Sequence, residues 1–195
     1  MRSIHTPLFA AIAVLGLGAC QPQDTTPAPE AAAPAPTAEA EPAAVVARAT
    51  LAPLGDSQVS GQVEFTVVDG RLHASGQVSG LQPDSEHGFH IHEKGDCSAA
   101  DGSSAGGHFN PAQVEHGSVT GEVHHGGDMP NIAADAQGNA RIDGPVSANV
   151  NVGNGDDFDI IGRGLIVHAD PDDYTSQPTG NAGGRLACAV IERAE

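Results

Sequence analysis

Apolar and polar residues alternate on both sides of an Asp-Gly pair, and this alternation restricts the chain more than any other feature. Val63, Phe65 and Val67 interleave with Gln62, Glu64 and Thr66, and beyond Asp69-Gly70, Leu72, Ala74, Gly76 and Val78 interleave with Arg71, His73, Ser75 and Gln77. Period two is the mark of a half-buried strand, and Asp-Gly is a hairpin-turn signal. The same reading predicts extended segments at Val45–Pro53, His87–Glu93, Asp128–Asp135, Ala140–Gly144, Gly162–His168 and Arg185–Glu192, with Gly, Pro, Asn and Asp between them. No stretch carries a long helical stripe. Eight short strands with long Gly-rich connections predict an all-β fold, an antiparallel sandwich or flattened barrel occupying residues 45–195. His73 falls on the polar face of its strand and reads as solvated.

The first 44 residues are of another kind. Met1–Ala19 holds one basic residue and an apolar run too short to span a bilayer, followed by Leu17-Gly18-Ala19-Cys20, which resembles a bacterial lipobox. Residues 1–19 are therefore expected to be an export signal and Cys20 a lipid attachment site. With no acidic residue at position 21, the expected location is the periplasmic side of the envelope, on an outer-membrane anchor. Residues 20–44 are mostly Ala, Pro, Thr, Gln and acids, a composition that cannot offset its chain entropy by burial and is expected to serve as a disordered tether. The formal charge of −17 argues against nucleic acid as a partner.

Histidines supply the chemistry. In the extended segment His87–Glu93, His90 and His92 share one face while Phe89 and Ile91 share the other, so a strand anchored in a core could offer two ring nitrogens to one ion. A Gly/Ser-rich loop containing Cys97 follows, leading to His108 in GGHFNP; then come His116, His124-His125-Gly126-Gly127-Asp128 and, far downstream, His168. A histidine at i with an aspartate at i+3 can converge on one ion. Three His and one Asp suit tetrahedral zinc, whereas an all-imidazole set suits copper as well as zinc. His90, His92, His108, His116, His125, Asp128 and His168 make seven ligands where two four-coordinate ions need eight. Either one site is open or one residue serves both ions.

GFHIHEKGDC, GGHFNP, HHGGDMPN, IIGRGLIVHADPDD and GNAGGRLACAVI, in that order, resemble the copper,zinc superoxide dismutases of the bacterial exported type. The resemblance covers about Val45 to Glu195 and implies an eight-stranded Greek-key fold with long metal-binding and active-site loops. It implies copper on His90, His92, His108 and His168, and zinc on His108, His116, His125 and Asp128, with His108 as the bridge. It also implies a supporting role for Asp172 beside His90 and His116, an anion-attracting Arg185, and a Cys97–Cys188 disulfide. The expected activity is dismutation of superoxide, with His108 also moving a proton and Lys94 adding positive field. His87 is expected to be a structural hydrogen-bonding residue, and the register selects His125 over His124. Monomer and homodimer both stay open. Two competing readings stay open, a non-catalytic metal store on the same scaffold, against which stand His168, Arg185 and both cysteines, and a structural envelope protein with a zinc-stabilised loop.

Overall fold

The structure is a computed structural model that describes residues 45–195; the expected signal, the Cys20 lipid site and the tether lie outside the described residues. Among the described residues nine strands form: β1 (Val45–Pro53), β2 (Ser60–Val68), β3 (Arg71–Ser79), β4 (Glu86–His87), β5 (Phe89–His92), β6 (Ile132–Ala133), β7 (Ala140–Pro145), β8 (Gly164–His168) and β9 (Arg185–Arg193). Seven of them make one curled antiparallel sheet in the order β5-β8-β9-β1-β2-β3-β7. The β4–β6 pair lies between its ends: Ala134 bridges to Ala140 at the start of β7, and β4 runs on into β5. The predicted hairpin forms between β2 and β3, where Asp69 (φ 50°) and Gly70 (φ 76°) take the left-handed conformations that a tight turn twisted with its strands requires.

Counting β4 and β5 as one strand interrupted at Gly88, all eight predicted strands are present. One of them is interrupted and two are shorter than expected: the strand expected at Gly162–His168 begins at Gly164, and Asp128–Asp135 keeps little of its length. Gly88 leaves the ladder because its N–H donates to the Asp170 carbonyl oxygen. The segment Asp128–Asp135 keeps only Ile132–Ala133 as strand, because Pro130 has no N–H and the Asn131 N–H donates to the Tyr174 hydroxyl. The backbone of that segment is committed to a neighbouring loop rather than to a ladder.

Val63, Phe65, Ala74, Phe89, Ile91, Leu165, Val167, Ala189 and Ile191 fill the interior of the curled sheet. Burying Phe89 and Ile91 is worth about 1.5–3 kcal/mol each, enough to hold β5 in place while its other face carries imidazoles. A second, small apolar group of Leu54, Ala105, Ile166 and Cys188 packs on the outer side, with Cys97 against it. There Cys97 and Cys188 are joined, with Cα atoms 5.8 Å apart, tying the loop after β5 to β9.

Candidate metal centre

Every residue of β5 and β8 is buried, although only alternate side chains face the core. Phe89, Ile91, Leu165 and Val167 point inward, which leaves His90, His92, Ile166 and His168 on the outer face beneath the long loops. Antiparallel register sets His90 opposite Ile166 and His92 opposite Gly164. Between β8 and β9 the register slips at Val167/His168, so that His168 pairs with Arg185. The free edge of β5 is taken by the incoming loop: Phe109 N–H donates to the Ile91 carbonyl oxygen, and Ile91 N–H to that of Gly127. A Cβ at Gly127 would run into the Ile91 carbonyl oxygen, so glycine there lets the His125–Asp128 turn lie against the strand.

Two clusters result. Ligand-type atoms of His90, His92, His108 and His168 lie within 4.8 Å of one another, and so do those of His108, His116, His125 and Asp128. His108 belongs to both. All seven residues are at least nine-tenths buried.

The hydrogen bonds show which nitrogens are left for an ion. A carboxylate only accepts, so His90 Nε2–H donates to Asp172 Oδ2 (2.8 Å), and the lone pair on His90 Nδ1 has no protein partner. His108 Nδ1–H donates to Asp128 Oδ1 (2.8 Å), and its Nε2 is likewise unpartnered. His92 Nδ1–H donates to the Gly106 carbonyl oxygen (3.0 Å) and His168 Nδ1–H to that of Gly183 (3.5 Å). Their two Nε2 lone pairs then face each other at 3.3 Å, a repulsive contact that a cation between them converts to an attraction. In the second cluster Asp128 Oδ2 is tied down by the backbone N–H groups of Gly117 and His125. Its Oδ1 meets Nδ1 of His108, His116 and His125 at 2.8, 3.0 and 3.5 Å. Three imidazoles around one carboxylate oxygen fit a zinc-type donor set.

Burial sets most of the protonation. It pushes the His168 ring down to about 3, helped by His90 and His108, and pushes His92 well below its ordinary value. His108 falls to about 4 because burial outweighs its bond to Asp128. These three rings are neutral at pH 7, with lone pairs free. His116 goes the other way: burial opposes its charge, but bonds to Asp128 and Asp172 raise it to about 9. Both carboxylates are also buried, yet the histidines around them hold Asp128 and Asp172 far below the usual range.

Asp172 accepts from His90 Nε2 with one oxygen and from His116 Nε2 (3.0 Å) with the other, so one carboxylate braces a ring from each cluster. Arg185 is half-buried, its guanidinium donating to the carbonyl oxygens of Gly102 and Gly106. His87 Nδ1–H donates to the His168 carbonyl oxygen (2.8 Å), with Ser85 Oγ 2.7 Å from its other nitrogen. His124 turns away from both clusters toward Ser147 Oγ (3.0 Å). His73 stays partly exposed on the polar face of its strand, 3.6 Å from Asp143, and exposed Lys94 lies 3.9 Å from Glu93, which offsets its charge. Sequence reasoning missed two amides. Asn131 pairs its carboxamide with the backbone N–H and C=O of Asp172 (2.9 Å each), and Gln177 does the same for His116 (2.9 Å each). A single amide in a loop has no spacing pattern to announce such a role.

A curled antiparallel sheet with two adjoining, buried clusters of histidine and aspartate ligands defines a class of all-β metalloprotein. Residues 59–191 match the family described as copper/zinc superoxide dismutase (SODC), and the chain belongs to that family. Copper-zinc superoxide dismutase 2 of Aquifex aeolicus (strain VF5) is 40% identical over 139 residues, 70% of this chain and 81% of that protein. Copper-zinc superoxide dismutase 3 of Arabidopsis thaliana is 40% identical over 144 residues, 70% of this chain and 85% of the other. A SOD-like protein from Bacillus subtilis, crystallised as a double mutant, superposes with a TM-score of 0.66 at 34% identity, covering 74% of this chain and 96% of that one. The protein is a superoxide dismutase with copper and zinc as its metals and superoxide as its substrate.

Proposed function

We propose that His90, His92, His108 and His168 hold copper, that His108, His116, His125 and Asp128 hold zinc, and that His108 bridges the two ions. The observation that carries this reading is the pattern of unpartnered buried nitrogens, His90 Nδ1, His108 Nε2 and His125 Nδ1, inside the two clusters. Bound copper supplies a one-electron couple by which one superoxide is oxidised to dioxygen and a second, with two protons, is reduced to hydrogen peroxide, while zinc, without redox chemistry, orders its loop. His108 holds a proton at Nε2 in the reduced half of the cycle and passes it to product. That role is supported by an Nε2 free of protein partners and an Nδ1 anchored on Asp128.

A chain of charge −17 repels an anion at long range, so attraction must act within a Debye length of about 8–10 Å. Arg185, opposite His168, is the fixed positive group we assign to this task. Selective removal of copper is expected to abolish superoxide consumption, and its restoration to recover it. Consumption that persists without copper would remove the first cluster from the chemistry.

In the metal-free protein His116 donates from both nitrogens, so zinc must displace the Nδ1 proton. Zinc affinity is therefore expected to rise with pH up to about 9, by roughly tenfold per unit for one proton released. Calorimetry in buffers of different ionisation enthalpy counts that proton, and a pH-independent affinity would refute the assignment of His116. We propose also that the chain is exported and anchored through Cys20 on the periplasmic side of the outer membrane. The Leu17–Cys20 sequence supports this, as does the Cys97–Cys188 disulfide, since such bonds persist in oxidising compartments. No state of association is assigned.

A further inference from the structure

We propose that Gln177 is a positioning residue for the zinc-side cluster, holding the peptide of His116 in the orientation that aims its ring. The inference rests on the assignment of His116 as a zinc ligand. Gln177 Oε1 accepts from the His116 N–H and its Nε2 donates to the His116 carbonyl oxygen, both at 2.9 Å. Two antiparallel hydrogen bonds to one residue imitate a strand partner and fix the rotation of its backbone as well as its position. Among the described residues His116 makes no backbone-to-backbone hydrogen bond, so Gln177 is the support its main chain has there.

The need for that support is visible in the ring. His116 is drawn by Asp128 on one nitrogen and by Asp172 on the other, each at 3.0 Å, so a small rotation of its backbone trades one contact for the other. The loop presenting Gln177 is braced on its own account. Asp173 accepts from the N–H groups of Thr175 and Ser176 and from the side chains of Ser176 and Asn181. Gly180 N–H closes the turn on the Ser176 carbonyl oxygen. Gln177 itself is exposed, so truncating it opens no cavity in a core. Its effect on the metal can thus be read apart from folding.

The test uses the fully metallated enzyme, Gln177→Ala and Gln177→Glu, with zinc affinity measured by chelator competition and Co(II) in the zinc position as a spectroscopic reporter. Gln177→Ala is expected to weaken zinc binding about tenfold or more, the usual effect of losing a group that orients a ligand, and to shift the Co(II) visible bands. Gln177→Glu keeps the acceptor for the His116 N–H and is expected to fall between the two. The metal-free proteins should melt within a few degrees of one another. Unchanged affinity and bands in Gln177→Ala would overturn the proposal, and so would weakened binding with unchanged bands. His116→Ala separates the two readings. If it leaves the Co(II) bands of the otherwise native chain intact, the ligand assignment falls and takes the role of Gln177 with it; if it abolishes them while Gln177→Ala does nothing, only the role of Gln177 is lost.

Discussion

Replacing His168 with alanine is expected to lower superoxide turnover by at least about 100-fold while leaving about one zinc per chain bound. Losing even a group that orients a metal-bound histidine typically costs 10–100-fold, and His168 is itself a member of the first cluster. Its Nε2 faces that of His92 at 3.3 Å, and burial with its histidine neighbours keeps the ring neutral down to about 3. No other group in the cluster can take its place, since the remaining three rings are anchored to Asp172, Gly106 and Asp128. His168 is not among the residues of the second cluster, which should therefore keep its ion. Elemental analysis beside a turnover assay reads both effects. Turnover near that of the unchanged chain would dismiss His168 as a copper ligand, and joint loss of both metals would deny that the clusters are separable.

Opening the Cys97–Cys188 bond is expected to produce the largest loss of stability. The bond closes a loop of 91 residues, worth about 4–5 kcal/mol on the chain-entropy account. For a domain of this size, that corresponds to a fall in melting temperature of roughly 10–20 °C. Activity should fall as well, for a reason distinct from unfolding. The carbonyl oxygens that hold Arg185 belong to Gly102 and Gly106, in the loop that Cys97 ties down, and the Gly106 oxygen also receives the N–H of His92. One loop thus positions both the cation proposed to attract superoxide and a ring of the copper cluster. The Cys97→Ser/Cys188→Ser protein, assayed below its melting temperature with both metals loaded, should turn over more slowly. Its rate should also depend less steeply on ionic strength. Full turnover with an unaltered salt dependence would show that the loop holds its place without the covalent tie.

Seven strands of the eight were legible nearly to the residue, because a half-buried strand writes its two-residue period directly into the chain. The exception is instructive. Asp128–Asp135 looks extended, yet most of it serves the neighbouring loop, and only the position of Tyr174 and Asp172 in space explains why. The clusters were legible as a list: all seven residues named from spacing and resemblance stand in the two groups, and Asp172 reaches both rings expected of it. Asn131, Gln177 and the Gly106 carbonyl oxygen were not legible. Amides carry no periodic signature, and a backbone oxygen carries no residue identity at all.

What the chain alone determined was therefore local: which segments extend, that His90 and His92 share a face, and which side chains are able to bind metal. Tertiary structure decided convergence. His168 reaches His92 because β8 pairs with β5 in one register and slips by a residue against β9, and His116 is aimed by a glutamine 61 positions away. The physical reason is range. Alternation and turn chemistry act over two to four residues, whereas two lone pairs are brought to 3.3 Å only by a core that fixes strands and loops distant in sequence against one another.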